Sequence, residues 1–213
     1  MREKTWALAL TVGLLGAGGA TQAALVDAGN GLVNDTVLDI TWVADASLSG
    51  GQSWGDLVDW AENLVYAGYD DWRLASMSVA AGTPTGATDS IIACQTDTEV
   101  NCRDNELGYM YTYYLPGNYG DNKTGDQTVG DVTLTGIQNV YWSGTEFASG
   151  PDFAWGFDPV NGFQFDDDKG FQDYGWAVRP GQVAAAPLPG TALLMALGFG
   201  AMALLRRARR RLW

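Results

Sequence analysis

The sequence predicts an α+β domain in which two helices pack on small antiparallel sheets. Three observations lead to this class. A strand-forming stretch comes first, two helical patterns follow with a long loop between them, and short aromatic strands close the domain. The order strand, helix, loop, helix, strands therefore places strands at both ends of one folded unit.

The strands are predicted from composition and turn residues. Residues 24–46 contain turn formers from Asp27 to Gly31, and then the run 37–43, which is rich in β-branched and aromatic residues. Residues 137–181 alternate short aromatic stretches with Gly, Asp and Asn turns. Residues 78–102 and 117–130 are expected to be loops.

The helices are predicted from apolar spacing. One face of the first consists of apolar residues spaced i, i+3, i+4, i+7, i+10 and i+11: Trp54, Leu57, Val58, Ala61, Leu64 and Val65. Ser53 is its expected N-cap, Asp56 lies in its first turn, and Gly68 is its expected C-cap. A second helix is predicted over residues 105–115, where Pro116 and Gly117 end it.

Residues 1–23 have the pattern of a secretory signal peptide. Arg2 and Lys4 precede an apolar stretch over residues 6–15, and small residues lead to Ala23. The alternative is a buried N-terminal helix, which the glycines of this stretch disfavour. The sequence therefore predicts export, with the domain occupying residues 24–182 and a linker following at 183–190.

The charge of the exported part limits its partners. Residues 24–186 contain five basic against 24 acidic side chains, hence a net charge of −19. Such a surface repels nucleic acid phosphates and anionic lipid headgroups, so nucleic acid is not an expected partner. The chain has no His, which removes Ser-His-Asp catalysis, and only two Cys, which excludes a four-ligand Cys/His zinc site.

The C-terminal residues 191–213 combine an apolar segment with an arginine cluster. The apolar part is short for a transmembrane helix, and the positive-inside rule keeps the arginines in the cytoplasm. Residues 24–186 would then lie outside the inner membrane. The cluster consists of Arg206, Arg207, Arg209, Arg210 and Arg211. The simple alternative is a permanent C-terminal anchor.

This tail resembles the PEP-CTERM sorting signal of Gram-negative bacteria. Pro187, Leu188 and Pro189 stand where the common form has Pro-Glu-Pro, followed by the apolar segment and the arginines. The resemblance implies an exosortase-type processing enzyme as partner. It also implies an inner-membrane-anchored precursor that is then released to the cell surface or the extracellular matrix.

Five stretches of the domain resemble the Lcl C-terminal domain family, long called a domain of unknown function. They are DDWRLAS at 70–76, NELGYMY at 105–111, NVYWSGTEFA at 139–148, FAWGFDPVNGFQ at 153–164 and WAVRPG at 176–181. Ala75 replaces the usual Pro of the first. The resemblance covers about residues 25–182. It implies a fold similar to C-type lectins and to the formylglycine-generating sulfatase-modifying domain, and a surface binding module.

One property of that family is not expected here. Its namesake adhesin binds sulfated polysaccharides, which a segment of net charge −19 would repel unless a basic patch exists. Only five basic residues are present to build one. The resemblance therefore implies polysaccharide binding without a preference for sulfate.

Candidate site residues fall into three groups. Aromatic rings suited to stacking on sugars are Trp72, Trp142, Trp155 and Trp176, with a place in the core as the alternative. Oxygen ligands for calcium are Asp158, Asn161, Asp166, Asp167 and Asp168, with Asp173 nearby, although no EF-hand spacing is present and solvated acids are the alternative. Arg73 and Arg179 are either anion clamps or structural ion pairs.

Cys94 and Cys102 are most simply a disulfide that closes a loop of an exported protein. The rivals are two free thiols or a metal pair. No cofactor is required by any of these patterns.

Three classes of function follow. The first is a surface or matrix binding protein, including glycan binding. The second is a hydrolase or another enzyme on a lectin-like fold, since paired acids serve glycosidases, but no pair of acids is singled out and the protein is not expected to be an enzyme. The third is a purely structural component of a biofilm matrix.

Overall fold

The computed structural model describes residues 25–77, 94, 102–148 and 150–184. The predicted signal peptide, most of the loop 78–101 and the whole tail from residue 185 lie outside these ranges. The described residues form small, mainly antiparallel sheets with two short helices, so the predicted sheet-rich α+β class is confirmed.

The strands follow one another in chain order with the helices in the middle. They are β1 Leu25–Gly29, β2 Leu32–Asp35, β3 Ile40–Val43, β4 Arg73–Leu74, β5 Gly125–Val129, β6 Val132–Ile137, β7 Tyr141–Glu146, β8 Phe153–Asp158, β9 Phe163–Asp168, β10 Tyr174–Gly175 and β11 Ala177–Pro180. The helices are α1 Trp54–Glu62 and α2 Glu106–Tyr109, and α2 continues as a π-helix over Met110–Tyr114.

Three sheets make up the fold. The first has the order β1-β2-β3-β11-β4 and is antiparallel throughout, so the last strand inserts between strands from the first half of the domain. The second has the order β10-β7-β8-β9, with only the β10 and β7 pair parallel. The hairpin β5-β6 is a separate two-stranded sheet, joined to the segment after β3 by backbone hydrogen bonds of Thr135 with Ala44 and Ala46. Both ends of the domain therefore meet in one sheet.

Helix α1 begins where the sequence predicts and ends earlier. The Ser53 hydroxyl caps it by accepting a hydrogen bond from the Asp56 amide, as expected. The last helical residue is Glu62, because a tight turn begins soon after it: Tyr66 and Tyr69 exchange two backbone hydrogen bonds of 3.0 Å. Gly68 supplies a left-handed residue of that turn, with φ +88, and is not the helix C-cap.

The second predicted helix is present but changes type within the predicted span 105–115. Asn105 caps it by accepting a hydrogen bond from the Gly108 amide. After Tyr109 the helix changes to the wider π-helical hydrogen-bond pattern. Carbonyl groups at its end accept hydrogen bonds from Lys123, whose Nζ donates to Tyr111 O at 2.7 Å and to Leu115 O at 3.1 Å. A buried ammonium thus satisfies a helix end that the short α-helix leaves open.

A buried carboxylate joins this π-helix to the first sheet. Asp35, at the end of β2, is fully buried and accepts hydrogen bonds from the amides of Val37 and Leu38. The Tyr114 hydroxyl donates to it at 2.7 Å, and the Trp42 indole nitrogen at 3.4 Å. Because every one of these partners is a donor, the carboxyl oxygens are satisfied within the core.

The disulfide is formed in the structure. The Cα atoms of Cys94 and Cys102 are 5.5 Å apart, and both residues are buried beside α2. A Cβ at Gly108 would lie 2.7 Å from the Cys94 sulfur and 2.9 Å from the Asn105 side chain. Only glycine at position 108 allows Cys94 to approach α2 this closely. The disulfide therefore holds Cys94 against the start of α2.

The first residue of the predicted linker 183–190 packs against the domain. Val183 is buried, and its backbone makes two hydrogen bonds with the buried side chain of Asn34, of 2.7 and 2.9 Å. Thr41 donates to Gly181 O at 2.8 Å. Within the ranges that the structure describes, no helix is long and apolar enough to cross a membrane; the predicted C-terminal helix lies outside them.

Candidate functional site

A cleft of about 210 Å³ opens where α1, β4 and β7 meet. Val58 and Glu62 lie four residues apart on α1 and so share one face of that helix. Strand β7 contributes Gly144, which is exposed and lies against Leu74 of β4, so that a Cβ at this position would contact Leu74. The full set of lining residues is Val58, Glu62, Arg73, Leu74, Ser76, Gly144 and Thr145.

Arg73 is the cation of this cleft, and Glu106 holds it. Nη1 donates to Glu106 Oε2 at 2.7 Å, and Nη2 donates to Oε1 at 2.6 Å. The Ser76 amide adds a third hydrogen bond to this carboxylate at 2.7 Å. Burial acts to lower the pKa of Arg73, but the hydrogen bonds and the charge of Glu106 outweigh it and raise that pKa above its ordinary value. The guanidinium therefore remains charged at any physiological pH.

The two hydroxyl groups of the cleft are both engaged with the backbone. Thr145 Oγ1 accepts from the Met77 amide at 3.0 Å and donates to Met77 O at 3.1 Å. Ser76 Oγ donates to Asp104 O at 3.3 Å. These contacts fix the wall of the cleft, and neither hydroxyl is hydrogen-bonded to a base that would activate it as a nucleophile.

Arg179, the other arginine singled out from the sequence, is an ion pair on the first sheet. Its Nε and Nη2 donate to the two oxygens of Asp71 at 2.6 and 2.8 Å, and its guanidinium lies 4.1 Å from the centre of the Tyr69 ring. The hydrogen bond from Arg179 lowers the pKa of Asp71. Both arginines thus form ion pairs, which was one of their two interpretations.

The four tryptophans considered for sugar stacking lie in the core. Trp142 and Trp155 are 0% exposed, and Trp72 and Trp176 are 3% and 2% exposed. No sugar ring can reach these faces without unfolding the sheet around them. For Trp142 on β7 and Trp155 on β8 the reason is sheet geometry. Both strands are inner strands of the second sheet, and both faces of that sheet are covered, one by α1 and one by the main core.

The predicted calcium ligands are not gathered by the fold. Asp166, Asp167 and Asp168 follow one another along β9, so successive side chains point to opposite faces. Asp158 ends β8 and Asn161 lies in the turn that follows, and their side-chain oxygens accept hydrogen bonds from the amides of Val160 and Phe163 respectively. Over the described part of the chain, no three His, Cys, Asp or Glu side chains are grouped to hold a metal ion.

The sequence analysis missed Glu62, Glu106, Gly144 and Lys123. Glu106 carries a signal that could have been used, because it follows an N-cap and so stands in the first turn of a helix. The ion pair between Arg73 and Glu106 joins residues 33 positions apart, so no pattern of neighbouring residues predicts it. Lys123 is 1% exposed although it follows a polar loop, and its burial lowers its pKa, an effect that Asp121 partly opposes.

Comparison with protein-family models, with curated proteins and with solved structures found no match to this chain. The fold and the cleft define it as a sheet-rich α+β protein in which a cleft with both apolar and charged lining residues opens between α1, β4 and β7. The predicted sorting residues from Pro187 to Arg211 lie outside the described ranges.

Proposed function

We propose that this chain is an exported protein whose domain acts as a binding module at the cell surface or in the extracellular matrix. The observation that carries the proposal is the cleft between α1, β4 and β7. It is open to solvent and mixes apolar contacts from Val58 and Leu74 with the charged groups of Arg73 and Glu62. Ligand sites in proteins combine a mainly apolar lining with a few polar groups that fix the orientation of the ligand, and this cleft has both.

Polysaccharide is the ligand class that the proposal favours. Planar charged side chains such as arginine and glutamate offer paired donors and acceptors, which suit the adjacent hydroxyl groups of a sugar. The strongly acidic surface also disfavours polyanions as partners. The finer fold assignment, a lectin-like domain related to the formylglycine-generating domain, is part of the same proposal.

Binding rather than catalysis is proposed for the same cleft. Glu106 is tied to Arg73 and Ser76 by three hydrogen bonds, so both of its oxygens are already engaged within the protein. Turnover of any member of a panel of nitrophenyl glycosides by the purified chain, lost on changing Glu62 to Ala, would overturn this part of the proposal.

Export and sorting complete the proposal. The precursor is held in the inner membrane of a Gram-negative cell by the C-terminal segment, and an exosortase-type enzyme processes it near Pro187 to Pro189. The test is the intact mass and cell fraction of the native protein, with the natural tail and with Arg206, Arg207, Arg209, Arg210 and Arg211 changed to Gln. A mature form that lacks both ends, found outside the cell only with the natural tail, is expected.

The contrary result would be a chain with its complete C-terminus in the inner membrane. That result would favour a permanent anchor. A mature protein that is retained in extracellular polymer but binds no polysaccharide would favour the purely structural role instead.

A further inference from the structure

Among the described residues, one edge of the Arg73 guanidinium has no hydrogen-bond partner. An arginine has five N–H groups. In Arg73 both hydrogens of Nη1 are used, one by Glu106 and one by Leu74 O at 3.0 Å, and one hydrogen of Nη2 goes to Glu106. The remaining two, on Nε and Nη2, lie on the same edge and have no hydrogen-bond partner among the residues that the structure describes.

Arg179 shows what such an edge binds in this fold. There the Nε and Nη2 hydrogens reach the two carboxylate oxygens of Asp71, at 2.6 and 2.8 Å. The edge thus presents two parallel donors to a pair of acceptor oxygens, and the surrounding charge decides whether those oxygens are anionic or neutral. The side chain of Arg73 is 41% exposed and lines the cleft. The same paired donors are thus presented to whatever enters the cleft, and Glu106 holds them in place from behind.

The charges around this edge decide between ligands. Glu106 already neutralises Arg73, and Glu62 adds a second carboxylate to the lining of the cleft. Glu62 is exposed and makes no hydrogen bond or ion pair within the described ranges. The local charge is therefore −1 before any ligand arrives, so an anionic group on the free edge of Arg73 would meet net repulsion.

We infer that the cleft binds a neutral saccharide through two adjacent hydroxyl groups, whose oxygens accept from Nε and Nη2 of Arg73 while Glu62 accepts a hydroxyl hydrogen of the same sugar. This inference rests on the proposed binding function and names its ligand class. Sulfate and uronate groups are disfavoured, in contrast to the sulfated ligands of the adhesin that the sequence resembles.

The test uses the full chain, purified in mild detergent, and immobilised dextran, mannan and galactan. Each polymer is placed beside its own sulfated and carboxymethylated derivative, so that the charge changes on an unchanged backbone. At least one neutral polymer is expected to bind, about tenfold or more tighter than its charged derivatives.

Two pairs of variants locate the site. Glu62→Ala is expected to weaken binding about tenfold, since it removes a charged acceptor, whereas Asp59→Ala on an exposed position of the same helix leaves it unchanged. Gly144→Leu extends a side chain into the cleft and abolishes binding. Gly144→Ala is its control, because a Cβ there meets Leu74 at ordinary contact distances of 3.4 and 3.5 Å.

Each failure has its own meaning. Tighter binding of the sulfated or carboxymethylated polymers, lost in Gly144→Leu, would overturn the ligand class and leave the binding function standing. Binding of an uncharged polymer that is unaffected by both Glu62→Ala and Gly144→Leu would place the binding site outside this cleft. Absence of binding to every polymer would overturn the proposed glycan-binding function together with this inference.

Discussion

Arg73 and Glu106 meet through two parallel hydrogen bonds of 2.7 and 2.6 Å, although 33 residues separate them in the chain. Glu106 is 8% exposed and opens α2, whereas Arg73 opens β4 at the edge of the first sheet. The pair therefore fastens the second helix to the sheet and at the same time orients the cation of the cleft.

Glu106→Gln is expected to destabilise the fold by about 3 kcal/mol, because it breaks a largely buried ion pair and leaves the Arg73 charge without compensation. The 41% exposure of Arg73 moderates the loss, since water can solvate part of the guanidinium. Urea unfolding followed by tryptophan fluorescence measures it, with Asp59→Asn on the exposed face of α1 as control. Equal midpoints for the two variants would show that the pair contributes little.

Gly55→Ala is expected to stabilise the protein by about 0.5–1 kcal/mol, because alanine restricts the unfolded chain and favours the helix. Gly55 lies in α1, and a Cβ there has no atom within 4 Å. Gly68 also has open space around it but has φ +88, so Gly68→Ala is expected to lower the stability. Thermal unfolding of the two variants separates the effect of backbone conformation from the effect of available space. A higher melting temperature for both variants would contradict the left-handed backbone conformation at Gly68.

Reduction of the Cys94–Cys102 disulfide is expected to cost about 2.5 kcal/mol, from the entropy of closing a loop of sequence separation 8. The measurement is urea unfolding with and without dithiothreitol. The double variant Cys94→Ser, Cys102→Ser is the control, since its stability should be low and independent of the reductant. An unchanged midpoint on reduction of the natural protein would show that the loop is already ordered without the bond.

Asp71 is expected to lose its contribution to stability in acid. Its pKa is lowered chiefly by the hydrogen bond from Arg179, so the unfolded chain takes up the proton first as the pH falls. The contribution is fully present above the unfolded pKa of about 3.9 and disappears as the pH falls through the lower folded value. The stability difference between the natural protein and Asp71→Asn, measured by urea unfolding, should therefore shrink between about pH 5 and pH 2.

Asp173 provides a control of opposite sign. Burial raises its pKa, and the nearby charge of Asp167 adds to the effect. Its contribution to stability is present below the unfolded pKa and is lost as the pH rises through the higher folded value. Asp173→Asn should therefore raise the free energy of unfolding at neutral pH and leave it unchanged in acid. The same pH trend for both Asp variants would show that general charge repulsion, rather than these two contacts, governs acid stability.

The parts of the fold that depend on neighbouring residues were predictable. The Ser53 cap and the apolar spacing that follows it place the start of α1, because a helix cap and a helix face are set within one or two turns. Asn105 marks the start of α2 in the same way. The disulfide between Cys94 and Cys102, the preferred interpretation of a close cysteine pair in an exported protein, is confirmed.

The candidate site was not predictable to the same extent. From the sequence, tryptophans in short strands were compatible both with stacking surfaces and with core positions, because whether a ring lies inside or outside depends on which strands flank its own and on what covers each face of the sheet. Trp142 and Trp155 became core residues for that reason, although nothing next to them in the chain distinguishes them from exposed aromatic residues.

The sequence by itself determined the net negative charge of the chain, the lack of histidine chemistry and the starts of both helices. Each of these depends on residue counts or on residues a few positions apart. Only the tertiary structure decided that Arg73 meets Glu106, that Asn34 holds Val183 from 149 positions away, and that Glu62 and Gly144 share a cleft. These contacts form when helices and sheets pack, and packing depends on the whole set of buried side chains rather than on any local pattern.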